Sequence, residues 1–525
     1  MRKSLLVLTI LSLSFPALAQ QQQTASRKIT IDVSKVLGPL NRNFNACVGA
    51  GRANEGLRAD WQRQLQYAKE QCGFRYIRMH GLLTDDMGVY FGEDRNGQPI
   101  YNWQYIDELY DFFERIGIKP FVEFGFMPQG LASGSKTIFW WRGNVTPPRD
   151  YAKWGHLIRS LVQHWTERYG EEKLKEWYFE VWNEPNLKDG FWTGDQAEYF
   201  KLYKVTAEAV KSVSPAYRVG GPATAGSAWV PEFIDFCVRE KAPVDFVSTH
   251  TYGVEQGFLD EMGGMGTKLS KKEDAVSGEI RQVRRQIAAS ALPGLELHYT
   301  EWSASYTPAD PIHDSYHEAA YILEKIRQSG DAVQSMSYWT FTDIFEEPGI
   351  RTTPFHGGFG LINYQDINKA AFYGYKYLNR LGDQALQNSD ASSWACRDNK
   401  GNVQLLCWDF TNTHPGDTVN NQSYYNRDLP PNNKGSLAIE LNKLPPGKYQ
   451  LNVYKTGYRA NDAYTSYLDL GAPGQLTRPQ VAEIKAKNAD QPKISKTITV
   501  GKEGVFRQEL PLRENDVYCV LLERR

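Results

Sequence analysis

The chain has 525 residues and a formal net charge of −1, its 60 Lys and Arg nearly matched by 61 Asp and Glu. That length exceeds one ordinary core and implies two or three domains. Balanced charge without a Lys/Arg run argues against nucleic acid as a partner. Six cysteines in so long a chain are too few for a disulfide scaffold, and no His-Glu-x-x-His or Cys-x-x-Cys spacing marks a metal site.

In chain order, Met1-Arg2-Lys3, an apolar run from Leu5 to Leu13 and Ala17-Leu18-Ala19 read as a signal peptide over residues 1–19, cut after Ala19. The run is too short to cross a bilayer, which takes about 20 residues. The expectation is a secreted or periplasmic protein, free of the membrane after cleavage. In the segment 20–41, Lys28-Ile29-Thr30-Ile31-Asp32-Val33 alternates apolar and polar residues and predicts a strand.

Residues 42–383 alternate strand-like and amphipathic helical runs. Strands are predicted to begin at Phe44, Arg75, Lys119, Trp177, Arg218, Phe246, Leu295 and Val333. Helices are predicted over Asp60–Gln71, Trp103–Ile116, Tyr151–Tyr169, Gln196–Val213, Val230–Glu240, Ala275–Ala291, Tyr316–Gln328 and Lys369–Leu381. Eight strands, each followed by a helix, define an α/β chain forming a (β/α)8 TIM barrel, with its chemistry at the C-terminal strand ends.

Over residues 384–525 the pattern becomes short strands with Gly, Pro and Asn turns. Trp394–Arg397 and Val403–Trp408 form a hairpin, and Ser436–Leu441, Tyr449–Tyr454, Ile494–Val500 and Val517–Leu522 follow. This predicts an accessory antiparallel β-sandwich, joined by the strand from residues 20–41. Cys396 and Cys407 flank the hairpin turn, which leaves open a disulfide or two independent buried thiols.

The most telling string is Val181-Trp182-Asn183-Glu184-Pro185-Asn186-Leu187, where an amide and a carboxyl sit side by side as the fourth strand stops. Glu301 stands near the end of the seventh strand in Leu297-His298-Tyr299-Thr300-Glu301-Trp302. Two carboxyls on strand ends suit hydrolysis of a sugar acetal: one protonates the leaving oxygen and the other meets the anomeric carbon. Strict alternation would point Asn183 and Glu184 to opposite faces, so the chain must already be turning there, as Pro185 implies. The strand ends Arg78-Met79-His80, Thr249-His250-Thr251-Tyr252 and Tyr338-Trp339-Thr340-Phe341 bring His80, His250, Tyr252 and Trp339 to the same mouth. Glu123 and Glu180 read as structural carboxylates. Glu346-Glu347 reads either as a solvated loop pair or as part of the pocket, and Phe139-Trp140-Trp141-Arg142 as an outer sugar platform or a cap on the barrel.

Taken together, these motifs resemble glycoside hydrolase family 39, the family of bacterial β-xylosidases and animal α-L-iduronidases. The likeness runs through Gly49–Arg52, His80–Tyr90, Phe179–Asn186, Gly220–Ala223, His298–Trp302, Tyr338–Glu347 and Pro354–Leu361, and is nearer the xylosidases at Asp85–Gly88 and Phe345–Glu347. The resemblance implies a retaining mechanism, with Glu184 as acid/base and Glu301 as nucleophile. It also implies that His80, Asn183, His250, Tyr252, Trp339 and Glu347 hold the terminal sugar, and that no cofactor or metal is needed.

The expected function is an exported, exo-acting β-xylosidase acting on xylo-oligosaccharides or xylosides. Two alternatives stay open. One is the same machinery on an arabinose-containing, glucoside, galactoside or uronide substrate; the other is a non-catalytic carbohydrate-binding barrel. A like-charge effect of Glu301 is expected to raise the pKa of Glu184. Oligomeric state is not legible.

Overall fold

Eight parallel strands close on themselves in the computed structural model, which describes residues 27–259, 265–412 and 421–525. The expected signal peptide and its cleavage point lie outside the described residues. The barrel strands are β1 (Cys47–Arg52), β2 (Tyr76–His80), β3 (Lys119–Phe124), β4 (Tyr178–Val181), β5 (Arg218–Thr224), β6 (Phe246–Tyr252), β7 (Glu296–Ser303) and β8 (Ser335–Tyr338). Each pairs with the next, and β8 closes on β1 at Tyr338 and Val48.

The helices between them are α1 (Ala59–Cys72), α2 (Gln104–Ile116), α3 (Tyr151–Tyr169), α4 (Gln196–Val213), α5 (Val230–Glu240), α6 (Ser277–Ala288), α7 (His317–Ser329) and α8 (Ala370–Asn379). Their apolar faces bury Trp61, Trp154, Trp165 and Tyr203 against the outside of the barrel. Several stop where the sequence supplies a left-handed C-terminal residue, as at Gly73 and Gly117.

The barrel interior is filled in layers. At the N-terminal end Cys47, Phe121, Tyr178 and Phe246 form a small apolar floor, with His298 in ring contact with Phe121, Tyr178 and Phe246. Above it the filling is charged: Arg78, Glu123 and Glu180 are almost wholly buried. The cavity begins over that layer.

Two sheets face each other in the accessory domain. Seven strands run in the order Val36–Pro39, Gln384–Leu386, Ser393–Arg397, Val403–Trp408, Val517–Arg524, Gly447–Thr456 and Ile494–Val500. The second sheet has three strands: Arg27–Asp32, Asn433–Asn442 and Phe506–Arg513. Leu405, Leu451 and Val520 of one sheet pack on Ile31, Ile439 and Leu510 of the other. Arg27–Asp32 pairs with Asn433–Asn442 in parallel, an exception in an otherwise antiparallel sandwich.

Ala463–Asp469 and Arg478–Lys487 are helices where only sandwich was expected. Tyr464, Tyr467 and Ile484 from this pair pack on Phe355, in the loop after β8. Cys396 and Cys407 are both free. Their hairpin register pairs Cys396 with Gln404 and Cys407 with Ser393, so the two thiols project from opposite faces of the sheet and belong to different cores.

Candidate active site

The C-terminal mouth of the barrel holds a cavity of about 700 Å³. His80, Asn183, Glu184, Tyr252, Glu301, Trp339 and Glu347 all line it. His250 lies immediately behind, its Nδ1 2.9 Å from Glu184 Oε1 and 3.6 Å from Glu301 Oε2. One donor atom each from Glu184, His250 and Glu301 falls within 4.8 Å of the other two.

Glu184 reaches the cavity because the chain turns sharply after β4. Trp182 and Glu184 have φ of 69° and 45°, left-handed values that ordinary side chains seldom adopt. The turn is held by tertiary bonds: Glu184 N donates to Ala223 O at 2.8 Å, and the buried Trp182 ring donates to Phe191 O at 2.8 Å. Two consecutive polar side chains thereby face one pocket.

Glu301 is fixed from two sides. Arg78 Nη1 donates to its Oε1 at 2.6 Å, and Tyr252 Oη donates to its Oε2 at 2.7 Å. Arg78 also donates to Glu180 Oε2 at 2.6 Å and to Asn183 Oδ1 at 3.0 Å, and lies 2.8 Å from Glu123 Oε2. One guanidinium thus aligns both neighbouring site residues. Sequence reasoning passed over Arg78, although a charged residue inside an apolar strand was the available signal.

His80 Nδ1 is 2.6 Å from Glu123 Oε2, while its Nε2 lies 3.4 Å from Glu301 and 3.6 Å from Glu347. Trp339 packs directly over β1: a Cβ on Gly49 would come within 2.4 Å of its ring, so the position tolerates only glycine there. Glu346 is drawn away by Arg52 and Arg58, at 3.1 and 2.8 Å, whereas Glu347 turns inward. Phe139 lines the cavity, while Trp141 covers Arg52 and packs on Phe126 beside it. Among the described residues, Asn183 Nδ2, His250 Nε2 and Glu347 Oε1 are buried here without a hydrogen-bond partner. Buried polar groups are rarely left unpaired, and hydroxyls of a sugar would satisfy them.

Burial raises the Glu184 pKa to about 7, against the opposing charge of Arg78. The shift has the expected direction, but desolvation is its main cause rather than repulsion by Glu301. Burial likewise lowers His80 and His250 to about 4, so both rings are neutral near pH 7. Glu347 is pushed well above the usual carboxyl range by burial and by Glu301. Glu123 rises to about 8 for want of solvent, whereas in Glu180 the charge of Arg78, with His250 and hydrogen bonds, outweighs burial and the net shift is downward.

A (β/α)8 barrel with one carboxyl after β4 and a second in β7, close enough for double displacement, is the frame of a retaining glycoside hydrolase. The chain belongs to glycosyl hydrolases family 39, whose family model matches residues 27–506. It is 40% identical over 503 residues to a β-xylosidase of Caldicellulosiruptor saccharolyticus, covering 94% of this chain and 98% of that one. Among solved structures, the family 39 enzyme of Xanthomonas axonopodis pv. citri superposes with a TM-score of 0.93 at 44% identity, over 97% of this chain and 99% of that one. A monomeric β-xylosidase of Caulobacter crescentus gives 0.91 at 46%, over 95% and 100%.

A carboxyl with a pKa of about 7 leaves a signature. If the reaction needs Glu184 protonated, kcat/KM should fall tenfold per pH unit above about pH 7. A profile on an unactivated xyloside checks this, and the limb should vanish in Glu184→Gln.

Proposed function

We propose that this enzyme is an exo-acting β-xylosidase, in which Glu301 is the nucleophile and Glu184 the acid/base. Glu301 attacks the anomeric carbon as Glu184 protonates the departing oxygen. Glu184 then deprotonates the water that releases xylose with net retention. The carrying observation is the placing of both carboxyls, with oxygens within 4.8 Å, in one cavity. That spacing fits direct attack at about 5 Å and leaves no room for the intervening water of an inverting enzyme.

The remaining residues take roles that fit their positions. Arg78 and Tyr252 orient Glu301 by their hydrogen bonds. Asn183 Nδ2 is suited to the sugar 2-hydroxyl, a contact that strengthens in the transition state. His80, His250 and Glu347 offer partners for the other hydroxyls, and Trp339 a ring face.

Sugar choice rests on the lining and on the relatives. Among the described residues no Lys or Arg lines the cavity, so a uronide carboxylate would meet carboxyls instead of a cation. The relatives at 40% and 46% identity bear the name β-xylosidase. A non-catalytic barrel is disfavoured by the presence of both carboxyls, each tied into the hydrogen-bond network. Export is part of this proposal and is supported by the basic, apolar and small-residue pattern of residues 1–19. Amino-terminal sequencing of protein recovered outside the cytoplasm should begin at Gln20, and an uncleaved start would reject the leader.

Two further outcomes are expected. Glu184→Ala should lose about 10²–10⁴-fold on substrates with poor leaving groups, and less on activated aryl xylosides. Azide should restore turnover of the latter by attacking the intermediate without base assistance. Equal losses on both substrates, with no azide effect, would remove Glu184 from the acid/base role.

Across a panel of aryl glycosides, the β-xyloside should exceed the matching β-glucoside by about ten- to a few hundred-fold in kcat/KM. The pocket elements held responsible are Trp339, Glu347 and Pro348 after β8. Equal rates on glucoside, galactoside or arabinoside would defeat the xylose assignment and leave the retaining mechanism standing.

A further inference from the structure

The cavity divides into two regions of opposite character. Its catalytic-side polar groups lie deep, with Trp339 and Phe359 beside them: His80, Asn183, Glu184 and Glu301 are each less than a tenth exposed. Among the described residues the more open wall is largely apolar, with Phe139, Leu187, Phe191, Val254, Tyr306 and Pro308. The total space, about 700 Å³, exceeds what one pentose ring fills. The outer region is therefore where the aglycone must lie.

That wall is poorly made for a second sugar. A xylose unit there would bury several hydroxyls against phenyl, aliphatic and proline carbons, and a hydroxyl buried without a partner costs free energy. The rings could stack on a sugar face, yet the hydroxyls would still point edgewise at apolar carbon. Two polar side chains of this wall are already engaged in the protein. Asn186 uses its side-chain amide on both backbone groups of Ala225, at 3.0 and 2.8 Å. Glu279 Oε2 accepts from Thr251 and Ser227, at 2.7 and 3.3 Å. As a carboxyl, Glu279 also disfavours an anionic aglycone.

The apolar character continues onto the rim. Leu187 and Tyr306 are 40% and 41% exposed, and Trp140 and Ile350, in loops beside the mouth, 58% and 75%. Trp140 is tied to the loop after β8 by its N–H to Glu347 O at 2.8 Å, and its ring lies over Gly349. Exposed apolar side chains gathered around one opening mark a surface that meets an apolar ligand.

The geometry points to an aglycone site for neutral, apolar groups, so that the preferred substrates are xylosides of hydrophobic alcohols or phenols in place of xylan-derived chains. This rests on the reading of the cavity as the glycosidase site and refines its substrate class.

The test separates aglycone binding from leaving-group chemistry. Methyl and n-hexyl β-xylosides release alcohols of similar basicity and differ only in chain length. In the wild-type enzyme n-hexyl β-xyloside should exceed methyl β-xyloside in kcat/KM by at least about tenfold, the gain expected from two fully buried methylenes. It should also exceed xylobiose. In Leu187→Ser and Tyr306→Ser the hexyl-to-methyl ratio should fall several-fold toward one. A wild-type ratio near one, xylobiose as the better substrate, or unchanged ratios in both variants would overturn the proposal. Should the aryl panel identify another sugar, the same alkyl pair built on that sugar gives the ratio, so the sugar and aglycone readings fail separately.

Discussion

The arrangement depends above all on one buried cation. Arg78 has no solvent and lies within 2.8 Å of three carboxyls, on β3, β4 and β7. A guanidinium presents its donors in a rigid plane, which suits it to hold several oxygens at fixed angles. Leaving those carboxylates buried without it would cost about 3–5 kcal/mol, typical when one partner of a buried pair is lost. Such a layer gains little stability over an apolar one of equal volume. What it supplies is position, since the same group sets the carboxylate of Glu301 and the amide of Asn183.

A second constraint is the backbone after β4. Two non-glycine residues in left-handed conformations within three positions carry strain of about 1–3 kcal/mol each. The buried Trp182 ring and the bond from Glu184 to β5 hold the turn closed. Strain of this kind persists only where surrounding structure fixes it, and here its product is the convergence of an amide and an acid on one pocket.

Burial also does the electrostatic tuning. Water exclusion at the barrel mouth raises Glu184 and Glu347 while lowering His80 and His250. The same low-dielectric layer that makes Arg78 costly to strip of partners therefore keeps Glu184 protonated below about pH 7 and the histidines neutral near that pH. The buried Lys369 serves the far side of the mouth. Its ammonium lies 2.6 Å from both Asp314 and Asp343 and donates to Gly358 O, anchoring the loop that carries Phe359 into the cavity.

The sequence by itself determined the barrel, because eight apolar runs alternating with amphipathic helices admit few other packings. It also determined the neighbourhood of the site, since His80, His250, Tyr252 and Glu301 end strands that a closed parallel sheet must bring to one mouth. The N-terminal strand was legible from its alternation, but its parallel pairing with Asn433–Asn442 was not, because period 2 carries no direction. The helices Ala463–Asp469 and Arg478–Lys487 were missed because their apolar faces are short and find their partner in a distant loop at Phe355. Separation of Cys396 from Cys407 needed the hairpin register. Only the tertiary structure decided that Arg78 clamps Glu301, that Glu347 faces inward while Glu346 is pulled out, and that burial rather than a neighbouring charge sets Glu184. Each of these depends on distances between residues far apart in the chain and on the exclusion of water, neither of which is written in local pattern.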